Sequence, residues 1–389
     1  MTATDSIHGH VDPAFAAVEE AFAANFANGL ESGAAFCLYL DGKPVVDLWG
    51  GVAGDAAWAE DTLQMVFSTT KGAAAICAHL LAQQGRLDFD APVASYWPEF
   101  AAEGKGEIPV RWLMCHKAGL PVIDAQLTFE EVCAITPVVA ALAASKPIWE
   151  PGTKHGYHAV TYGWLVGEVV RRITGQTLGQ FFASSIAAPL GLEFWIGLPE
   201  SEEHRVAPLL PAPEPDDPAI RALVASIMTP DSLVVRALTI NGALGTFGGE
   251  GGMADVFNSR AIHATEMPAA NGITTARSLA RLYASTVSSV DGIRLLTPAT
   301  VEAAIVEQAC GPDEILSVES RFGTGFMLNG TLTPLLGTSS FGHAGAGGSL
   351  GFADPDAGIG FGYVMSQMSG GLTNDPRANS LVAAVRSCL

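Results

Sequence analysis

The fold of this chain is limited most by where its strand signals lie. Two apolar segments, residues 35–40 and 44–49, are joined by Asp41-Gly42. That dipeptide accepts the left-handed backbone of a tight hairpin. Strand character is next clear near the other end, at residues 358–366. Between them apolar residues recur at helical spacing, at about 69–84, 161–174 and 177–187; Leu165, Val169 and Ile173 share a face of the second run, and Gly175 ends it. Strands at both ends with helices between them imply that the ends pair into one antiparallel sheet flanked by helices, with a mainly helical insertion. The expected class is mixed α/β of the α+β type. Residues 1–70 and 275–389 are expected to form a split sheet domain and 71–274 a helical one, and 389 residues suit two domains.

Local signals fill in this outline. Asp12-Pro13 reads as an N-cap and first helical residue, followed by Phe15, Val18, Phe22 and Phe26 at helical spacing. Residues 275–283 and 298–305 read as helices, and Asp375-Pro376 starts a last one. Residues 199–230 read as a long loop, because Pro-Glu-Pro-Asp-Asp-Pro at 213–218 is expected to break any helix.

Composition excludes several classes. Twenty basic against 40 acidic residues leave a net charge of −20. Such a chain lacks the basic surface of a nucleic-acid binder and is repelled by anionic membranes. Hydrophobic residues reach 49%, yet the apolar run at 73–81 is interrupted by His79 and is far too short to span a bilayer. Residues 1–13 lack the basic-then-apolar pattern of a signal peptide, so a cytoplasmic location is expected. Six cysteines without a C-x-x-C pair read as reduced.

No cofactor or metal is expected. His8-Gly9-His10 reads as a mobile tail, and His155 and His158 lack any H-E-x-x-H pattern. Gly249–Ala254 fits G-x-G-x-x-A loosely, but no strand precedes it and no βαβ unit follows. It reads as loop glycine.

Three segments carry chemistry. In Phe67-Ser68-Thr69-Thr70-Lys71, the serine and lysine are three residues apart, on one face of a helix. A serine hydroxyl attacks well only when a base takes its proton. A lysine can be that base if burial lowers its pKa. The bland alternative is an N-cap serine beside a solvated lysine. A Pro-Gly turn then delivers Tyr157 just before the helix near Thr161. A nearby lysine favours its phenolate, so the pair can share proton work; alternatively Tyr157 is simply a buried, hydrogen-bonded tyrosine. Finally, Phe341-Gly342-His343-Ala344-Gly345-Ala346-Gly347-Gly348-Ser349 offers bare backbone N–H groups suited to an oxyanion hole, or else a plain glycine-rich turn beside an edge strand.

Together these segments resemble the serine β-lactamase and penicillin-binding-protein superfamily, and within it the class C-like family VIII carboxylesterases. Segments 85–93, 113–121, 271–277 and 351–355 are similar to that branch too, so the resemblance covers about residues 15–385. It implies Ser68 as acylated nucleophile, Lys71 and Tyr157 as general base and then acid, and the N–H groups of Ser68 and Ala346 as oxyanion hole. His343, Gly345, His158 and Trp149 are the candidate substrate contacts.

Two departures stand out. The β-lactamase pattern Y-x-N reads Tyr157-His158-Ala159 here, which removes an amide contact to substrate or lysine. His343 replaces the lysine of K-T-G, exchanging a permanent cation for a mostly neutral ring. Both changes favour uncharged esters over β-lactams.

The expected activity is hydrolysis of small, short-chain carboxylic esters, with a small-molecule ester as partner, no nucleic acid and no membrane, and no assigned oligomeric state. Rivals of the same chemistry are a β-lactamase, a D-amino peptidase or amidase, and an acyltransferase; a non-enzymatic binding protein is a rival of another class. An α/β-hydrolase is the rival fold, and a missing histidine speaks against it. Gly347-Gly348-Ser349-Leu350-Gly351 matches G-x-S-x-G, but that fold needs a histidine after its serine, and His343 is the last of nine.

Overall fold

The structure, a computed structural model, describes residues 7–246 and 252–389. In chain order its strands begin with β1 (Ile7–Val11), β2 (Gly33–Leu40), β3 (Lys43–Ala53), β4 (Ala56–Ala57), β5 (Gln64–Met65), β6 (Phe194–Ile196) and β7 (Gly272–Thr274). The last third adds β8 (Ala309–Pro312), β9 (Glu319–Phe322), β10 (Met327–Leu328), β11 (Phe341–Ala344), β12 (Leu350–Asp354) and β13 (Ile359–Met365). The helices that bear on the site are α1 (Ala16–Ala27), α2 (Thr70–Gln83), α3 (Thr161–Thr174), α4 (Pro218–Ile227), α5 (Leu233–Thr239), α6 (Ala276–Val287) and α7 (Pro376–Cys388).

Ten strands make one antiparallel sheet in the order β1-β3-β2-β13-β12-β11-β10-β9-β8, with β4 on β3. Asp41 and Gly42 take positive φ, 48° and 78°, and turn β2 into β3. The two ends of the chain meet where β2 pairs β13, with Phe36 opposite Tyr363.

The sheet is buried on both faces at its centre. On one face Gly360 and Gly362 let α6 lie directly on β13. A Cβ at Gly360 would stand 2.3 Å from the Ala284 nitrogen, and one at Gly362 would stand 2.4 Å from the Ala276 carbonyl. The other face carries an aromatic row, Phe36, Phe361 and Phe352, with ring centres 4.9 and 4.5 Å apart. Tyr363, on that row's face, meets Glu31, which pairs with Arg377 at the start of α7.

A second sheet, in the order β5-β7-β6, ties the segment before Ser68 to residues far along the chain. Val66 donates to the Gly272 carbonyl at 2.9 Å, and the Thr70 hydroxyl accepts from Gly272 N–H at 2.8 Å. Ser68 therefore stands beside a small sheet that joins three segments far apart in the chain.

Three expectations need correction. His8-Gly9-His10 is no loose tail: it lies in β1, paired to β3, with the His8 and Trp49 rings 6.5 Å apart. The proline-rich segment does not stop all helix. Asp217 caps α4 and Pro218 is its first residue, which suits proline because that N–H has no helical acceptor. The glycine-rich segment does not adjoin an edge strand, since β11 lies between β12 and β10. Part of Gly249–Ala254, residues 249–251, lies outside the described residues. Among the described residues no helix is long and apolar enough to cross a membrane.

Candidate active site

Ser68 sits in a short 3-10 turn, Phe67–Thr69, that runs straight into α2. The residue before it, Phe67, is held at φ 43°, an uncommon setting for a bulky side chain. Burial of Phe67 beside Phe257, ring centres 4.9 Å apart, holds the turn in place. α2 is buried on nearly every side through Ala73, Ala74, Ala75, Ile76 and Cys77, so the residue one turn on from Ser68 points into protein rather than water.

That residue is Lys71. It is fully buried, and its Nζ lies 3.0 Å from Ser68 Oγ, 2.6 Å from the Ala159 carbonyl and 3.0 Å from the Ala269 carbonyl. Burial alone pushes its pKa well below the ordinary value, and no carboxylate offsets it. A neutral amine has two N–H groups and one lone pair. In that form the two carbonyls would take the N–H groups and the lone pair would face the Ser68 hydroxyl. The Ala159 carbonyl also supplies lysine with the polar contact that the missing Y-x-N amide seemed to remove.

Tyr157 comes from the loop before α3. Its ring lies 4.7 Å from Lys71 Nζ, it is buried, and burial raises its pKa while interaction with the Ser68 hydroxyl works the other way. Burial thus works against the phenolate that a neighbouring cation would favour, and against the charged form of both Tyr157 and Lys71.

The glycine-rich turn closes the other side. Gly345 donates to the Ser349 carbonyl at 2.7 Å, Gly347 to Gly371 at 3.1 Å and Gly348 to Gly345 at 3.1 Å. Ala346 borders the same cavity as Ser68. Ser349 is a latch: its Oγ donates to the Val66 carbonyl at 2.9 Å and lies 3.1 Å from Thr69 Oγ1, which joins this turn to the one before Ser68.

The cavity over Ser68 encloses about 480 Å³ including its mouth, bordered by Phe67, Val160, Leu238, Met253, Phe257 and Leu316 among others. Tyr157 and Thr373 are the other polar members besides Ser68, and no charged side chain lines it among the described residues. An uncharged acyl group fits such walls; a carboxylate finds no cation.

The four expected substrate contacts are placed otherwise. His158 is buried, accepts from Leu120 N–H at Nε2 (3.0 Å) and faces the Gly156 carbonyl with Nδ1 (2.7 Å), so both nitrogens are occupied. His343 lies opposite Gly351 on the face covered by α6; it is buried with its ring 6.0 Å from that of Tyr157 but does not itself border the cavity. Its Nδ1 faces the Ala344 carbonyl at 2.6 Å, and burial is the largest cause that brings its pKa down to about 3. Trp149 packs on Gly119, Gly156 and His158 instead of the acyl cavity. Gly345 serves close approach, since a Cβ there would stand 2.2 Å from Val66 O and Ser349 Oγ.

Two residues beneath Tyr157 escaped notice. His116 is buried with its ring 5.0 Å from that of Tyr157, and its Nδ1 accepts from His158 N–H at 3.1 Å. Buried Asp313 accepts from Tyr157 N–H at 3.0 Å and from the Ser320 hydroxyl at 3.0 Å, and Ser320 in turn meets His155 Nε2 at 2.9 Å. Neither carries a local motif; they reach Tyr157 from 41 and 156 residues away, so only the fold brings them together. Among the described residues no group of side chains is arranged to hold a metal ion.

Comparison with known proteins agrees with this architecture. The Beta-lactamase family model matches residues 22–384. Esterase/beta-lactamase LipL of Mycobacterium tuberculosis is 36% identical over 376 residues, 93% of this chain and 83% of the relative. A crystal structure of a family VIII carboxylesterase superposes with a TM-score of 0.88 at 39% identity, covering 98% of this chain and 100% of the other. EstA from Arthrobacter nitroguajacolicus superposes at 0.87 with 37% identity, covering 97% of each chain.

Proposed function

The chain belongs to the beta-lactamase family, and from that premise we propose that it is a serine carboxylesterase acting on small, neutral, short-chain esters. The observation that carries this reading is Lys71: fully buried, its pKa well below the ordinary value, held by two carbonyls, its Nζ 3.0 Å from Ser68 Oγ beneath an apolar cavity. LipL is named an esterase, and the two superposed structures include a carboxylesterase, which supports the same chemistry.

Ser68 Oγ–H passes its proton to Lys71 Nζ as the oxygen attacks the ester carbonyl. The developing oxyanion is received by the N–H groups of Ser68 and Ala346. Tyr157 O–H then protonates the departing alkoxide and is replenished from Lys71, so the alcohol leaves and an acyl-Ser68 remains. Water then attacks the acyl carbonyl as its proton passes to Lys71 Nζ; the acyl–Oγ bond breaks, the acid leaves, and Lys71 returns that proton to Ser68 Oγ. Neutral partners at rest suit this cycle, because the proton moves between groups that carry no charge before or after it. The division into residues 1–70 with 275–389 around 71–274, and the cytoplasmic location, belong to the same proposal, with Ser68 at the junction.

The test is paired. Ser68→Ala abolishes turnover of p-nitrophenyl butyrate, whereas Ser349→Ala keeps most of it and costs about 1 kcal/mol of stability through the lost latch. Activity that survives in Ser68→Ala and disappears in Ser349→Ala would overturn the assignment.

A further inference from the structure

The turn that carries Ala346 is held at two ends. Ser349 fastens one end to the segment before Ser68. The other end is fastened by a residue far from the chemistry. Arg377, in the first turn of α7, is buried with its side chain 3% exposed. Its Nη2 donates to the Gly347 carbonyl at 2.6 Å. Nε and Nη2 grip both oxygens of Asp375 at 2.9 and 2.8 Å, while Nη1 reaches Glu31 Oε2 at 3.1 Å and the carbonyls of Gln367 and Leu30 at 2.8 and 3.1 Å.

Burying a guanidinium is costly unless every donor is met. Here every donor group of the fork finds an acceptor, and one acceptor lies one residue beyond Ala346. The contact is close on both sides. A Cβ at Gly348 would stand 2.6 Å from both Arg377 Nη2 and Asp375 Oδ2. Ser369 N–H also donates to the Gly347 carbonyl, at 2.9 Å, and the residues just beyond it, Leu372 and Thr373, border the cavity. One buried fork therefore fixes both the glycine-rich turn and the segment that faces it.

We propose that Arg377 is a positioning residue for ester hydrolysis, setting the Ala346 N–H in register with Ser68 by holding the Gly347 carbonyl. This rests on the reading of Ala346 as an oxyanion donor. A shift of about an ångström in such a donor costs on the order of a hundredfold in rate, because the donor must meet the oxyanion and not the resting carbonyl. Lysine would keep the positive charge between Glu31 and Asp375 but lacks the planar fork that serves Asp375 and Gly347 together.

The experiment measures kcat and KM for p-nitrophenyl butyrate on the full chain, per active site titrated with a fluorophosphonate, so that folded protein alone is counted. Arg377→Lys is expected to lower kcat roughly ten- to a hundredfold with KM within about twofold. Glu31→Gln, which alters another partner of the same guanidinium without touching Gly347, is expected to keep kcat within about twofold. If Arg377→Lys does not fold, Asp375→Asn, which loosens one side of the fork, takes its place with the same expectation for kcat and KM. Unchanged kcat in the folded Arg377 or Asp375 variant overturns the proposal. So does an equal loss in Glu31→Gln, which would reduce the group to a stabilising one. A wild-type protein that the probe fails to label at Ser68 would instead remove the esterase reading, and this inference with it.

Discussion

In the proposed mechanism Lys71 is the residue on which the chemistry turns, and its state has measurable consequences. Lys71→Arg keeps donors for the Ala159 and Ala269 carbonyls but cannot shed its proton, so kcat should fall by at least about a hundredfold while the fold persists. The buried amine also links stability to pH. Its folded pKa lies below the ordinary 10.5, so the unfolded chain binds the extra proton between the two values. Wild-type stability relative to Lys71→Met should therefore rise with pH up to about 10.5, as read by denaturant titration at several pH values. Flat parallel curves would mean that Lys71 is charged in the fold. The sequence already pointed to Ser68, Lys71 and Tyr157, because their signals are local: an i, i+3 pair on one helix and a turn before another. It left the protonation state of Tyr157 open, since burial is set by the whole core and no neighbouring residue announces it. It also placed His158 and His343 against substrate, whereas their ring nitrogens face backbone or protein interior.

At the scale of elements, the contact between α6 and β13 depends on glycine. Gly360→Ala should destabilise by roughly 1–3 kcal/mol, because its methyl meets backbone that cannot yield. Gly370→Ala, which meets nothing within 4 Å, should be nearly neutral. Equal effects in thermal unfolding would contradict the close helix–sheet packing. The hairpin, α2, α3, α6 and α7 were all legible, because caps and periodicity are written within each element: Asp375 accepts from Arg377 N–H, and Gly175 ends α3 at φ 76°. β1 was not, since His8-Gly9-His10 has no apolar alternation and forms a strand only because β3 offers it an edge. α4 was missed for another reason: Asp217-Pro218 both ends the proline-rich run and opens a helix. Its Leu223, Val224 and Ile227 remain 59%, 46% and 52% exposed, so periodicity here reports a helix without reporting burial.

For the whole molecule, the net charge of −20 and a cavity without a charged lining residue among those described act in the same direction. Replacing a neutral acyl group by one bearing a carboxylate should lower kcat/KM, and added salt should narrow the gap by screening the field. A salt-independent gap would assign selectivity to the cavity wall alone. Nitrocefin, which carries a carboxylate, should be turned over far more slowly than p-nitrophenyl butyrate. Glu31 gives the fold a second pH signature. Burial first, with Asp375 adding to it, pushes its carboxyl up to about 8 despite Arg377, so the folded chain keeps a proton that the unfolded chain loses near 4.5. Stability relative to Glu31→Gln should thus be greatest below about 4.5 and decline as pH rises toward 8. The meeting of both chain ends on one sheet could be inferred from strand signals alone, but the seam at Ser68, where β5, β7 and β6 join distant segments, required the folded structure. The proposed cycle passes through one covalent intermediate. Acid quenching during turnover of p-nitrophenyl butyrate, followed by peptide mass mapping, should place a butyryl group on Ser68; a butyryl group on Ser349 or any other residue, or turnover without an acylated Ser68, would contradict the account.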